Sequence, residues 1–173
     1  MTKNTHIYVL KYTSFVVLFI FLYVLQNTPM LFSINGVKPN LVVPAAVCLA
    51  MFEGEFTGGI MGAFAGLLCD LASFTIFGFN GILVMAGCVA AGLLTAYLTQ
   101  LRISNALMLG FIVLLLRGLL EYFFYFQMWG FENRSRVLLF SILPSVLYST
   151  AVIVPIYYIV RWLTGYFAGR LRV

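Results

Sequence analysis

Charge is scarce in this chain. Only 9% of its 173 residues are Asp, Glu, Lys or Arg, against about 25% in an ordinary soluble domain, so it cannot cover a water-facing surface and is not a soluble globular protein. Histidine is almost missing: His6 stands alone, ahead of the first apolar segment and with no acid or nucleophile near it in sequence. That argues against Ser-His-Asp and Cys-His chemistry. The three cysteines, Cys48, Cys69 and Cys88, lie in apolar runs without Cys-x-x-Cys spacing, and read as small packing residues rather than a disulfide framework. With no cluster of His, Cys and carboxylate groups, neither a metal site nor a cofactor is expected. No catalytic residues are assigned; Asp70 and Glu121, the two acids embedded in apolar sequence, sit in no motif of an intramembrane hydrolase. There is also no long internal repeat and no low-complexity linker, so a single domain over 1–173 is expected.

What is abundant is hydrocarbon. Hydrophobic residues make up 63% of the chain, aromatic residues 17%, and the mean hydropathy is +1.05, the composition of an integral membrane protein. Spans take about 20 residues each, which predicts an all-α bundle of six transmembrane segments. The first runs from Ile7 to Leu25, interrupted only by Lys11, whose stem can carry its charge to the interface. Gln26-Asn27-Thr28-Pro29 offers no cleavage site, so this helix is expected to be retained. A loop with Pro29, Asn35-Gly36, Pro39 and a short apolar patch from Met30 to Ile34 follows. The run from Leu41 to Phe79 is too long for one helix and breaks at Glu53-Gly54-Glu55, giving Leu41 to Phe52 and Phe56 to Leu71. The former is short for a crossing, which is tolerated only if other protein encloses it. Asn80 to Gln100, Asn105 to Trp129 and Val137 to Trp162 complete the set.

Six crossings leave both ends on one side, together with Lys3, Lys11, Arg102, Arg161, Arg170 and Arg172, while Lys38, Arg134 and Arg136 lie opposite. The positive-inside rule then places both termini in the cytoplasm. Aromatic residues agree: Tyr122 to Phe126 with Trp129 end the fifth segment at the outer interface, and Tyr157, Tyr158, Trp162 and Tyr166 end the sixth at the inner one. A five-span arrangement, with Leu41 to Leu71 as a bent hairpin that does not cross, puts the ends on opposite sides. The net charge of +5 gathers at the ends and matches anionic membrane lipids rather than nucleic acid.

Gly54, Gly58, Gly62 and Gly66 stand four apart, and the next step is Asp70. On a helix this strip lets another backbone approach closely, either a neighbouring helix of this chain or the helix of a partner. Each step also turns about 40° round the axis, so a crossing helix follows it over only part of its length. Arg117 falls within the fifth segment with Glu121 one turn later, near enough for an internal ion pair. Three readings stand: Arg117 and Glu121 neutralise each other; Arg117 reaches Asp70 across the bundle; or the three groups line a wetted ligand site. Asp70 at the membrane surface would need no partner.

Gly62-Ala63-Phe64-Ala65-Gly66-Leu67-Leu68-Cys69-Asp70, then Phe77-Gly78-Phe79-Asn80, preceded by Leu25-Gln26-Asn27-Thr28 and Gly36-Val37-Lys38-Pro39-Asn40-Leu41, resembles the rod shape-determining protein MreD family in order and spacing over most of the chain. The chain has Pro39-Asn40-Leu41 where that family commonly has Pro-Asp-Leu, and Phe77 where it has Leu, so no role for an acid at position 40 carries over. The loop residues Pro39, Asn40, Gly78 and Asn80 belong to this pattern.

The resemblance implies a noncatalytic multi-pass subunit of the bacterial cell membrane that helps the elongation machinery build lateral peptidoglycan and hold cell shape. The partner it implies is MreC and, indirectly, RodA with a class B penicillin-binding protein, and MreB. The small-residue surface of the third and fourth segments and the loop before the second are the expected docking surfaces. The alternative is the vitamin-binding subunit of an energy-coupling-factor transporter, whose fold the family is thought to share. Against it, Phe15 to Leu25 contains no small residue for docking on coupling helices, and apart from Arg117, Glu121 and Gln127 the last three segments are nearly all hydrocarbon.

Overall fold

The computed structural model describes residues 2–28, 38–72, 77–124 and 143–171, with side chains described from position 6 and up to position 170. The patch from Met30 to Ile34, the turn at Asn35-Gly36, Gln127, Trp129, Arg134, Arg136, Arg172 and the Lys3 side chain lie outside these residues. The described chain is all helical: α1 (Thr2–Asn27), α2 (Val42–Glu53), α3 (Glu55–Ala72), α4 (Phe79–Tyr97), α5 (Ile103–Tyr122) and α6 (Leu143–Leu171). Five of them, all but α2, are long and apolar enough to cross a membrane. This is a multi-pass membrane protein.

Each outer helix buries one stripe and turns an apolar face outward. In α1 the buried positions are Lys11, Phe15, Phe19 and Leu22, whereas Val9, Val17, Phe21 and Val24 are exposed; the first set recurs every three or four residues, as one helical face must. Exposed Ile60, Ile82, Met108, Leu116 and Leu147 extend the apolar coat over the other helices. Water would not tolerate this coat, and lipid favours it.

The short helix is the centre of the bundle. All ten residues from Val42 to Met51 are buried, and α2 touches each of the other five helices. At about 18 Å its length falls well below the roughly 30 Å of hydrocarbon, and enclosure by protein on every side is what makes so short a segment stable at membrane depth. It ends at Gly54, whose φ of +88° suits a residue without Cβ. The Gly54 N–H still donates to the Ala50 carbonyl at 3.0 Å, and α3 sets off in the reverse direction. Gly54 therefore forms the joint, and the ladder proper begins on α3 at Gly58.

Contacts between helix ends establish the direction of each. Gln26 at the end of α1 meets the start of α2, Asp70 near the end of α3 meets the start of α4, and Arg117 near the end of α5 also meets the start of α4. Ser145 in the first turn of α6 donates to the Lys38 carbonyl, while further along Tyr157 reaches the Leu101 carbonyl ahead of α5. The six helices alternate in direction, and both described chain ends emerge at the same end of the bundle, here the terminal face. α2 and α3 form a hairpin at Gly54, of which α3 is long and apolar enough to cross a membrane.

Boundaries differ in three places. His6 lies inside α1 rather than ahead of it. Asn80 is the second residue of α4 and not a loop residue. The last helix continues to Leu171, nine residues past Trp162, with Thr164 and Phe167 still buried along this extension.

Candidate functional site

The polar side chains inside the apolar bundle gather in two places. The larger group is at the end opposite the terminal face. Asp70 is 4% exposed, and its carboxylate accepts hydrogen bonds from the backbone N–H groups of Gly78 (3.0 Å), Asn80 (3.2 Å) and Gly81 (3.2 Å) and from Asn80 Nδ2 (2.9 Å). Asp70 thus acts from α3 as the N-terminal cap of α4. Gly78, with φ of +93°, turns the chain so that three N–H groups converge on the acid. A helix start has unpaired N–H groups and a partial positive charge, and a carboxylate satisfies both.

Asn80, fully buried, passes the link onward: its Oδ1 accepts from Arg117 Nε at 2.6 Å. Arg117 Nη2 lies 3.7 Å from Glu121 Oε2, one turn further along α5. Two of the three expected readings thereby merge, since Arg117 does pair with Glu121 and is tied to Asp70, but through the Asn80 amide rather than by direct contact. An amide suits this bridge because it donates to the acid and accepts from the guanidinium at once.

The same layer extends round the bundle. Asn40 N–H donates to Ser149 Oγ of α6 at 2.7 Å, its Oδ1 accepts from Val43 N–H and so caps α2, and its Nδ2 lies 3.7 Å from Cys69 Sγ, beside Asp70. Gln26 Oε1 accepts from the N–H groups of Leu41 (2.8 Å) and Val42 (3.4 Å). Pro39 is buried beneath. One chain of polar contacts therefore joins all six helices at this end. An amide at position 40 does here what an acid would do for the helix start, and adds a donor toward Cys69.

The second group is a single ion pair near the terminal face. Lys11 of α1 is bonded to Glu53 at the end of α2, and both side chains are nearly buried. A carboxylate at the α2–α3 joint meets the lysine within the bundle. Sequence spacing carried no sign of this pairing beyond one unbalanced cation and one acid beside a helix break, 42 residues apart.

The glycines of the ladder are occupied by this chain's own helices. A Cβ at Gly58 would collide with Ala50 of α2, one at Gly62 would lie 2.8 Å from the Cys88 side chain of α4, and one at Gly66 would lie 2.6 Å from Gly81 Cα. From the other side, Gly92 of α4 rests against the Glu55 backbone. Gly58, Gly62 and Gly66 are thus internal contacts, and no partner helix can lie along them while the bundle is intact; the small residues of α4 that face outward are Ala86, Ala90 and Ala96. The expectation of docking is corrected for these three glycines alone. Only the residues from Lys38 onward of the second expected surface, the loop before α2, are described.

In this arrangement the polar groups partner one another. Both Asp70 oxygens are filled by donors, Arg117 is held by the Asn80 amide and Glu121, and every described buried side-chain N or O atom has a partner. Among the described residues no three His, Cys, Asp or Glu side chains come together in a way that could hold a metal ion. Cys48, Cys69 and Cys88 are buried in helix contacts. Comparison with protein-family models, curated proteins and solved structures finds no match to this chain.

Proposed function

We propose that this protein is a noncatalytic scaffold of the bacterial plasma membrane, of the MreD type, that anchors MreC and through it the peptidoglycan-elongating synthase RodA with its class B penicillin-binding protein, and MreB. One observation carries the reading: the polar side chains within the membrane are spent on joining six helices to one another. A protein whose ionisable groups clasp its own framework is built to present a fixed surface. The residues that resemble the family, Gly62, Gly66, Asp70, Gly78 and Asn80, are the ones that make the α3–α4 joint, which gives them a structural purpose independent of any ligand.

The terminal face, with Arg102, Arg161 and Arg170, is the cytoplasmic one in this reading, by the positive-inside rule. The lone helix of MreC then meets the outward apolar faces of the bundle, where close packing rather than hydrophobicity decides affinity. Depleting the protein in a rod-shaped host tests the proposal: cells should round, and MreC should co-purify with the tagged chain from detergent extracts. Rods that persist, or a thermal shift of the purified chain with one member of a vitamin panel, would refute the scaffold and support the transporter subunit.

A further inference from the structure

The terminal end of α6 carries a feature that the clasp does not use. Tyr157 Oη donates to the Leu101 carbonyl at 3.2 Å and its ring packs 5.3 Å from that of Phe52, which places it level with the turn before α5 and with the end of α2. α6 runs on past Tyr157 to Leu171, about 21 Å, beyond the start of α5, whose 20 residues match the roughly 30 Å of hydrocarbon, and this carries the residues after Tyr157 into the headgroup layer.

There Tyr158, Trp162 and Tyr166 stand four apart in one exposed row. Trp162 and Tyr166 are stacked, with centroids 6.1 Å apart, and the Arg170 guanidinium lies 4.6 Å from the Tyr166 centroid. Beside the row run Arg161, Gly165 and Gly169. A Cβ at either glycine would meet nothing within 4 Å, so the strip between Arg161 and the rings is an open trough; Tyr158, Arg161, Trp162, Gly165 and Tyr166 line it. The ion pairs among the described residues are Lys11 with Glu53 and Arg117 with Glu121. The charges of Arg161 and Arg170 thus face the bilayer boundary without a described carboxylate.

We infer that this trough seats the headgroup of an anionic phospholipid, with Arg161 bonding the phosphate and the Tyr158–Trp162–Tyr166 row flanking the glycerol and upper acyl chains. The site's charge calls for an anion, its depth for a lipid, and its rings for a ligand that is apolar on one side. The inference stands apart from the scaffold reading.

The test uses the full chain in detergent micelles, with lipid retention measured by native mass spectrometry and stability by thermal shift. Phosphatidylglycerol should be retained and should raise the melting midpoint, while phosphatidylcholine and inorganic phosphate do neither. Arg161→Gln should lower phosphatidylglycerol retention about tenfold, the scale of one charge-assisted bond. Gly165→Leu, whose Cβ meets nothing within 4 Å and which fills the trough without removing a charge, should lower it as well, whereas Arg102→Gln on the same face should not. Equal retention of the two lipids, a loss with Arg102→Gln matching that with Arg161→Gln, unchanged binding in Gly165→Leu, or complete competition by inorganic phosphate would each overturn the site.

Discussion

Removing the Asp70 carboxylate tests the clasp most directly. Asp70→Ala leaves three backbone N–H groups of the first turn of α4 and the Asn80 amide without their acceptor. Summing four charge-assisted bonds would overstate the loss, because Gly78 is only partly buried and water can reach the helix start once the acid is gone. Loss of a strong N-terminal cap, about 2 kcal/mol, with about 1 kcal/mol for the helix dipole, gives an expected cost of about 3 kcal/mol. For a chain of this size that is a fall in Tm of about 6–12 °C. Asp70→Asn keeps an acceptor oxygen and loses the charge, so it should fall by about 2–4 °C. The buried thiols Cys48, Cys69 and Cys88 supply the assay: a thiol-reactive fluorophore added during a thermal ramp reports opening of the bundle. Asp70→Ala melting within about 1 °C of the parent would refute the capping argument. So would full additivity of Asp70→Ala with Asn80→Ala, since residues that act as one unit should couple.

The Lys11–Glu53 pair should show the asymmetry of buried ion pairs: Lys11→Met or Glu53→Gln alone costs about 3–5 kcal/mol, while the double substitution Lys11→Met with Glu53→Leu regains most of it, read in the same ramp. Gly66→Ala places a Cβ 2.6 Å from Gly81 Cα and should destabilise by about 1–3 kcal/mol, whereas Gly169→Ala, at an open position, should leave Tm unchanged. In the folded protein at room temperature, maleimide should label the three cysteines at least about tenfold more slowly than in denaturing detergent, as befits thiols without access to solvent; fast labelling of Cys88 would contradict the α3–α4 contact.

Much of the framework was legible in the sequence because lipid imposes helicity on any long apolar run. The break at Gly54, the shortness of the second segment and its need for enclosure all followed from length and glycine placement. That α2 is the centre was not legible: a helix apolar all round is also what a lipid-facing span looks like, and only the packing distinguishes them. The glycine strip signalled close approach without naming the neighbour, and the neighbours proved to be Ala50, Cys88 and Gly81 of the same chain. Asp70, Arg117 and Glu121 stood out as charges in oil, whereas Asn80 stood out only through the family-like pattern, as a loop residue. It is neutral and follows a turn, so no periodicity connects it to the acid ten residues earlier, yet it joins the other two. The pairing of Lys11 with Glu53 was not legible for a related reason, since contacts across 42 residues leave no local pattern.

The enclosure of α2 also bears on biogenesis. Twelve residues cannot bridge the bilayer unaided, so during translocation this segment has no stable resting place of its own and must enter joined to α3, as a hairpin folded at Gly54. The middle of the finished molecule is therefore the part least able to exist early, and it becomes secure only when the last helix closes over it. Truncation after α5 should thus expose to quality-control proteases a segment synthesised long before the cut.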